Sequence, residues 1–115
     1  MSDLSIGILK YALDGLTLQQ QAASSNISNV QTPGYTSEEV DFESSLAKAL
    51  AQGSGNPTAT TLVSPSAAPR NTDGNNVDLS QEMATMQTST LQYQTLVDAL
   101  NARFGVMAAS ESSSF

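Results

Sequence analysis

Ala23-Ser24-Ser25-Asn26-Ile27-Ser28-Asn29-Val30-Gln31-Thr32-Pro33-Gly34-Tyr35 closes one long helical pattern and turns the chain. Pro33 disfavours the α region for Thr32, so the helix is expected to end near Val30 or Gln31. Pro33-Gly34 suits the two central positions of a type II turn: proline presets φ and glycine accepts a positive one. Tyr35 can then fold its ring back over the turn. Taken alone, Pro-Gly would be an ordinary helix stop. The Asn-Ile-Ser-Asn before it and the tyrosine after it make the block more specific than that.

Two heptad-like stripes flank the turn. Ile6, Leu9, Leu13, Leu16, Gln20, Ala23, Ile27 and Val30 follow alternating three- and four-residue steps. Leu79, Met83, Met86, Thr90, Tyr93, Val97, Leu100, Phe104 and Met107 do the same. Such spacing keeps one apolar seam on one helix face, the pattern of a coiled coil. Each stripe spans about 25–30 residues, so each helix is roughly 40 Å long. Equal lengths at opposite ends of one chain make the two helices natural partners. The expected fold is all-α: long N- and C-terminal helices pairing as an antiparallel coiled coil, with an extended, largely irregular middle. The seam residues expected to pack are Leu9, Leu13, Leu16, Ile27, Met83, Met86, Tyr93, Val97, Leu100 and Phe104. Gln20 and Thr90 interrupt the stripes. With Leu9 beside Phe104, Gln20 would fall near Tyr93 and Ala23 near Thr90.

The C-terminal helix has a clear start. Asp78 fits an N-cap with Gln81 as its capping-box partner. Glu82 in the first turn and Arg103 near the end both suit the helix dipole. Phe42, Leu46, Ala49 and Leu50 recur at helical spacing and point to a short helix over 41–51. The segment 52–76 is rich in Gly, Ser, Thr, Pro, Ala and Asn, with Leu62 and Val63 its only large apolar residues. That composition cannot bury enough apolar surface to fold alone. The expected organisation is therefore an N-terminal helix (1–31), the turn and short helix (32–51), an irregular loop (52–77), a C-terminal helix (78–109) and a tail (110–115).

Composition narrows the function. The 115 residues suffice for one small domain. Charged residues make up 13% of the chain, against the usual quarter, and there is no tryptophan. The net charge is −7, with Lys10, Lys48, Arg70 and Arg103 the only basic side chains. Nucleic acid and anionic membrane surfaces are poor partners for such a chain. With no cysteine or histidine, thiolate chemistry and the commonest general base and metal ligand are missing. No stretch reads as a membrane span or a cleavable signal peptide.

Other clusters have plain readings. Glu38, Glu39, Asp41 and Glu43 read as a solvated loop and helix start rather than a cation site. Gly53-Ser54-Gly55-Asn56-Pro57 lacks the third glycine and preceding strand of a dinucleotide loop, and reads as linker. Asn71-Thr72-Asp73-Gly74-Asn75 lacks the acidic spacing and terminal glutamate of a calcium loop, so a tight turn at Asp73-Gly74 is expected. Met83, Met86 and Met107 need only core packing. No catalytic, cofactor-binding or metal residues are expected, and no enzyme activity.

The turn block resembles the N-terminal signature of bacterial flagellar axial proteins, the rod and hook group: Ser-Asn-(Ile/Leu)-Ala-Asn-x-x-Thr-Pro-Gly-Tyr. The matching residues are Asn26, Ile27, Asn29, Thr32, Pro33, Gly34 and Tyr35, with Ser28 in place of the usual alanine. Asp73-Gly74-Asn75-Asn76-Val77-Asp78-Leu79-Ser80-Gln81-Glu82-Met83-Ala84, followed by Tyr93-Gln94 and Leu100-Asn101, is similar to the last block of the B-type proximal-rod family of the basal body. Val40-Asp41-Phe42-Glu43-Ser44-Ser45-Leu46 is similar to its segment after the turn. The resemblance covers residues 4–50 and 73–109. The length fits too, because distal-rod and hook proteins carry large β domains between their helices.

The resemblance implies a structural rod subunit in the flagellar basal body, outside the cytoplasm, delivered uncleaved through the flagellum's type III export apparatus. It implies as partners other rod proteins, further copies of the chain, and the membrane-ring and export-gate adaptor. Phe42 and Leu46 resemble the Phe-x-x-x-hydrophobic element that engages the export gate, although they also share one face of the short helix. The alternatives are a C-type proximal-rod protein, a non-flagellar coiled-coil adaptor, and a peptidoglycan-cutting enzyme, the last opposed by the absent histidine, cysteine and aromatic cleft.

Overall fold

A computed structural model describes residues 3–52 and 63–112. The elements run α1 (Asp3–Ser28), β1 (Glu38–Val40), α2 (Phe42–Gln52), β2 (Val63–Pro65) and α3 (Leu79–Ser112). The described chain is mostly helical, as the stripes indicated, with one small sheet. The linker reading of 53–57, Leu62 and residues 113–115 lie outside the described residues.

Local chemistry sets the end of α1 and the start of α3. At the close of α1 the Val30 N–H turns to the Ile27 carbonyl at 3.2 Å, a three-residue step that tightens the last turn. The Tyr35 N–H then donates to the Thr32 carbonyl at 3.2 Å, and Gly34 takes φ +73°. Those are the marks of the type II turn expected at Pro33-Gly34. At the start of α3 the Asp78 Oδ1 accepts the Gln81 N–H at 3.1 Å, an N-cap contact. Helix α2 covers almost the span expected from its apolar spacing.

The sheet was not legible in the pattern. Strands β1 and β2 pair antiparallel, with Glu38 opposite Pro65, Glu39 opposite Ser64 and Val40 opposite Val63. Three-residue strands with no alternation give no periodic signal. Part of the expected irregular loop is therefore a strand, and the fold is not purely helical.

The core is small. Ala12 and Leu16 of α1 and Phe42 of α2 are buried together, flanked by Val40, Leu46, Tyr93 and Leu96. Burying one such leucine or phenylalanine contributes about 1.5–3 kcal/mol. Helices α1 and α3 pack along their length, but α3 does not turn its heptad stripe squarely inward. The most buried of its described side chains is Ser89, 1% exposed, whose Oγ donates to Gln19 Oε1 at 2.8 Å. Around it Glu82, Tyr93, Leu96 and Leu100 are half-buried.

Two seam expectations are corrected here. Met83 and Phe104 are each 50% exposed, so the apolar stripe straddles the edge of the helix contact. At the contact the residue pair is polar, Ser89 on Gln19, while Met83 and Phe104 of the stripe stay half-exposed. The remaining seam residues Leu9, Leu13, Ile27, Met86, Val97 and Leu100 are half-buried, and Leu16 is buried. The register also differs from the expected one. Gln20 Nε2 donates to Thr90 Oγ1 at 3.2 Å, so Gln20 meets Thr90 and not Tyr93.

Candidate functional site

The signature block is where the fold concentrates its polar contacts. Three asparagines, Asn26, Asn75 and Asn76, are among the buried polar residues, the first two 0% exposed. A buried amide is costly unless every hydrogen-bonding group is matched, so each should be satisfied in full.

Asn26, two residues before the end of α1, pairs with the backbone of Glu38 in both directions. Its Nδ2 donates to the Glu38 carbonyl at 2.9 Å, and its Oδ1 accepts the Glu38 N–H at 2.8 Å. The Tyr35 hydroxyl donates to the same Oδ1 at 3.3 Å and lies 3.1 Å from Ser25 Oγ. The Tyr35 ring thus reaches back across the turn onto α1.

Asn75 fastens the turn after α1 from more than 40 residues away. Its Nδ2 faces the carbonyls of Asn29 (2.8 Å), Val30 (3.2 Å) and Thr32 (2.7 Å). These carbonyls belong to the turn that follows α1, where the Asn29 carbonyl also accepts the Thr32 N–H at 3.0 Å. Its Oδ1 accepts the Val77 N–H at 2.7 Å, and its own N–H donates to Asp73 Oδ1 at 3.0 Å. Asn29 is held in turn: its Nδ2 donates to the Ser25 carbonyl at 2.8 Å, and Thr32 Oγ1 donates to its Oδ1 at 3.1 Å.

Asn76 binds the strand ends. Its Oδ1 accepts the Ser37 N–H at 2.7 Å, while Nδ2 donates to the Ser66 and Ala68 carbonyls at 3.2 and 3.3 Å. Arg70 adds two bonds from its guanidinium, to the Gly74 carbonyl at 2.6 Å and to Thr36 Oγ1 at 2.7 Å.

The two glycines permit this close joint. The Gly34 N–H donates to the Asp73 carbonyl at 2.9 Å. Gly74 takes φ +83°, and a Cβ placed on it would sit 3.3 Å from Gly34 Cα. A side chain there meets both backbone strain and a crowded neighbour. The tight turn expected at Asp73-Gly74 is present, with the Gly74 N–H on the Asn71 carbonyl at 2.9 Å.

Five of the seven signature residues therefore take part: Asn26, Asn29, Thr32, Gly34 and Tyr35. Ile27 is half-buried and Pro33 exposed. Asn75 and Asn76 stand in the second block, but nothing local revealed that their side chains complete the first. Phe42 is buried in the core with Leu46 packed against it.

Beside this asparagine staple, which joins the turn after α1 to Asn75 and Asn76, a groove of about 530 Å³ runs between the β1–β2 side and the start of α3. Glu38, Glu39, Asp41, Asp78 and Glu82 line it. Burial pushes the Glu82 carboxyl above its ordinary range; a hydrogen bond with Asn26 pulls it partly back, and the charges of Asp78 and Glu39 push it up again. Three acids of the 38–43 cluster thus share one groove with two acids of the α3 start. Among the described residues no group of His, Cys, Asp and Glu could hold a metal ion.

What this geometry builds is a structural joint, two long helices locked at one end by backbone-matched asparagines. Comparison with known proteins agrees. The chain is 31% identical to the flagellar basal body rod protein FlgB of Yersinia enterocolitica, over 94% of this chain and 96% of that one. It is 32% identical to FlgB of Cereibacter sphaeroides over 90% and 91%, and 29% identical to FlgB of Bacillus subtilis over 84% of each. No family model matches. The chain belongs to the FlgB family of flagellar basal body rod proteins, and is a structural subunit of the basal-body rod. No described helix is long and apolar enough to cross a membrane.

Proposed function

We propose that this subunit sits in the proximal rod and helps carry torque, its α1–α3 pair acting as a stiff strut. The observation that carries the reading is the staple. It joins the Thr-Pro-Gly-Tyr turn to Asn75 and Asn76, so the end of α1 and the start of α3 move as one body. Antiparallel pairing is supported by contacts that fall along α3 as they rise along α1. Leu16 shares a cluster with Tyr93, Gln19 meets Ser89, and Asn26 meets Glu82. The coiled-coil seams that the pair leaves partly open would then be covered by neighbours in the rod.

The proposed partners are other rod proteins, further copies of the chain, and the membrane-ring and export-gate adaptor. The proposed route is type III export without a cleaved signal peptide. Phe42 and Leu46 would serve twice: as an export element while the chain is unfolded, and as core once it folds. Purified basal bodies from cells carrying an epitope-tagged chain test this reading. Tag signal at the cell-proximal end of the rod is expected, and a tag that stays cytoplasmic while rods assemble would refute it.

A further inference from the structure

The chain holds two Asp-Gly pairs, Asp14-Gly15 and Asp73-Gly74. An aspartate carboxyl followed by glycine can close on the next backbone amide, because glycine has no side chain to hinder the approach and the least restricted backbone. The two pairs sit in different surroundings. Asp14-Gly15 lies within α1, where helical geometry directs the Gly15 N–H to the carbonyl four residues back. Asp73-Gly74 lies in the joint, outside any helix or strand, and Asp73 is exposed.

Both reacting groups of the second pair are engaged elsewhere. The Gly74 N–H donates to the Asn71 carbonyl at 2.9 Å, and Asp73 Oδ1 accepts the Asn75 N–H at 3.0 Å. The flanking carbonyls are pinned as well. That of Asp73 accepts the Gly34 N–H at 2.9 Å, and that of Gly74 accepts Arg70 Nη1 at 2.6 Å. The Asn75 amide fastens this loop to the turn after α1. Together these bonds hold the carboxyl and the amide against the rotation that ring closure needs, so the reaction waits on local opening of the joint.

We propose that Asp73 is a self-modification site, converting to isoaspartate when the joint is open and shielded when it is closed. The Gly74 nitrogen bonds to Asp73 Cγ, the Cγ–OH bond breaks, and the hydroxyl leaves with the amide proton as water. Water then opens the five-membered imide. Opening at one carbonyl restores aspartate. Opening at the other routes the main chain through Cβ and Cγ and frees the α-carboxylate. Water is the only other reactant, and the sum is an isomerisation. The product has one more atom in its backbone, and the carbonyl that accepts the Gly34 N–H becomes a branching carboxylate. It also displaces Gly74, which stands so near Gly34 that a Cβ on it would lie 3.3 Å from Gly34 Cα. The modified chain therefore cannot close the joint in the same way.

The test incubates the full chain at 37 °C in mildly acidic buffer and locates isoaspartate by peptide mapping. In guanidinium chloride both pairs should react at similar rates. In native buffer both should slow at least about tenfold. Asn75→Ala should speed position 73 severalfold in native buffer and leave position 14 at the wild-type rate. Arg70→Ala removes only two exposed bonds, to Gly74 and Thr36, and should speed the same position to a smaller degree. It decides the matter if the Asn75→Ala chain has unfolded throughout, which reaction at position 14 would reveal. Native wild type reacting at 73 as fast as in denaturant overturns the proposal. So does acceleration at 73 and 14 alike, or at neither, in both variants. Asp14→Glu leaves Asp73-Gly74 as the one Asp-Gly pair. Converted in denaturant and then refolded, that chain should regain less helicity than an unconverted sample, and equal recovery would refute the claim that isoaspartate keeps the joint from closing.

Discussion

Replacing Asn75 by alanine should unfasten the two ends of the helix pair. The variant loses an amide that faces three carbonyls of the turn after α1 and an oxygen that accepts the buried Val77 N–H. Two N–H donors can satisfy about two of those carbonyls, each net bond contributing about 0.5–1.5 kcal/mol, and the orphaned Val77 N–H adds about 1–3 kcal/mol. Water can reach exposed Thr32 and recovers part of the loss. The expected cost is about 3 kcal/mol, a fall in melting temperature of about 12–24 °C for a chain of this size. The assay is urea and thermal unfolding by circular dichroism at one fixed concentration, because association would shift the midpoint. Asn71→Ala is the control: Asn71 is exposed, and its bonds in the turn are made by its backbone, so it should stay within about 0.5 kcal/mol of wild type. Asn75→Asp keeps the acceptor for Val77 but sets a carboxylate against carbonyls, and should rescue little. An Asn75→Ala chain as stable as the Asn71→Ala control would refute the argument that this amide fastens the turn after α1.

Acid should stabilise the fold through Glu82. Its carboxyl holds a proton more tightly folded than unfolded, so the folded chain binds more protons between the ordinary value of 4.5 and the raised one. Stability therefore climbs as pH falls from neutral through that window and levels off below it. Glu82→Gln should be the more stable chain at pH 7 and lose this part of the slope; an unchanged urea midpoint at both pH 7 and pH 5 would show that burial of this carboxylate has no consequence. Leu100→Asp should abolish swimming, since it sets a charge on the α1-facing side of α3 at a cost of several kcal/mol, while exposed Gln92→Asp should swim. Equal motility of the two would remove the support for this face. Phe42→Ala should cut the amount of chain reaching the periplasm while cytoplasmic levels hold, and Phe42→Leu, which keeps most of the packing volume, separates recognition of the aromatic ring from folding. Normal secretion of both would leave Phe42 as core alone.

Sequence by itself determined whatever is decided within a turn or two of the chain. Pro33 and Gly34 stop α1 because a fixed φ and a permitted positive φ act locally. Asp78 starts α3 because its carboxylate reaches an N–H three residues on. The three helices follow from apolar periodicity, and the signature block led to the family because its residues are contiguous. Tertiary structure alone decided the rest. Heptad spacing says that a stripe exists but not which way it turns: α3 sets Ser89 against Gln19 of α1 and leaves Met83 and Phe104 half-exposed. Strands β1 and β2 are too short to carry a period and exist only because they find each other. Asn75 looks like any loop asparagine in the sequence. Its role appears only when folding brings its amide to carbonyls more than forty residues earlier, because a hydrogen bond across such a distance leaves no mark in the spacing of either partner.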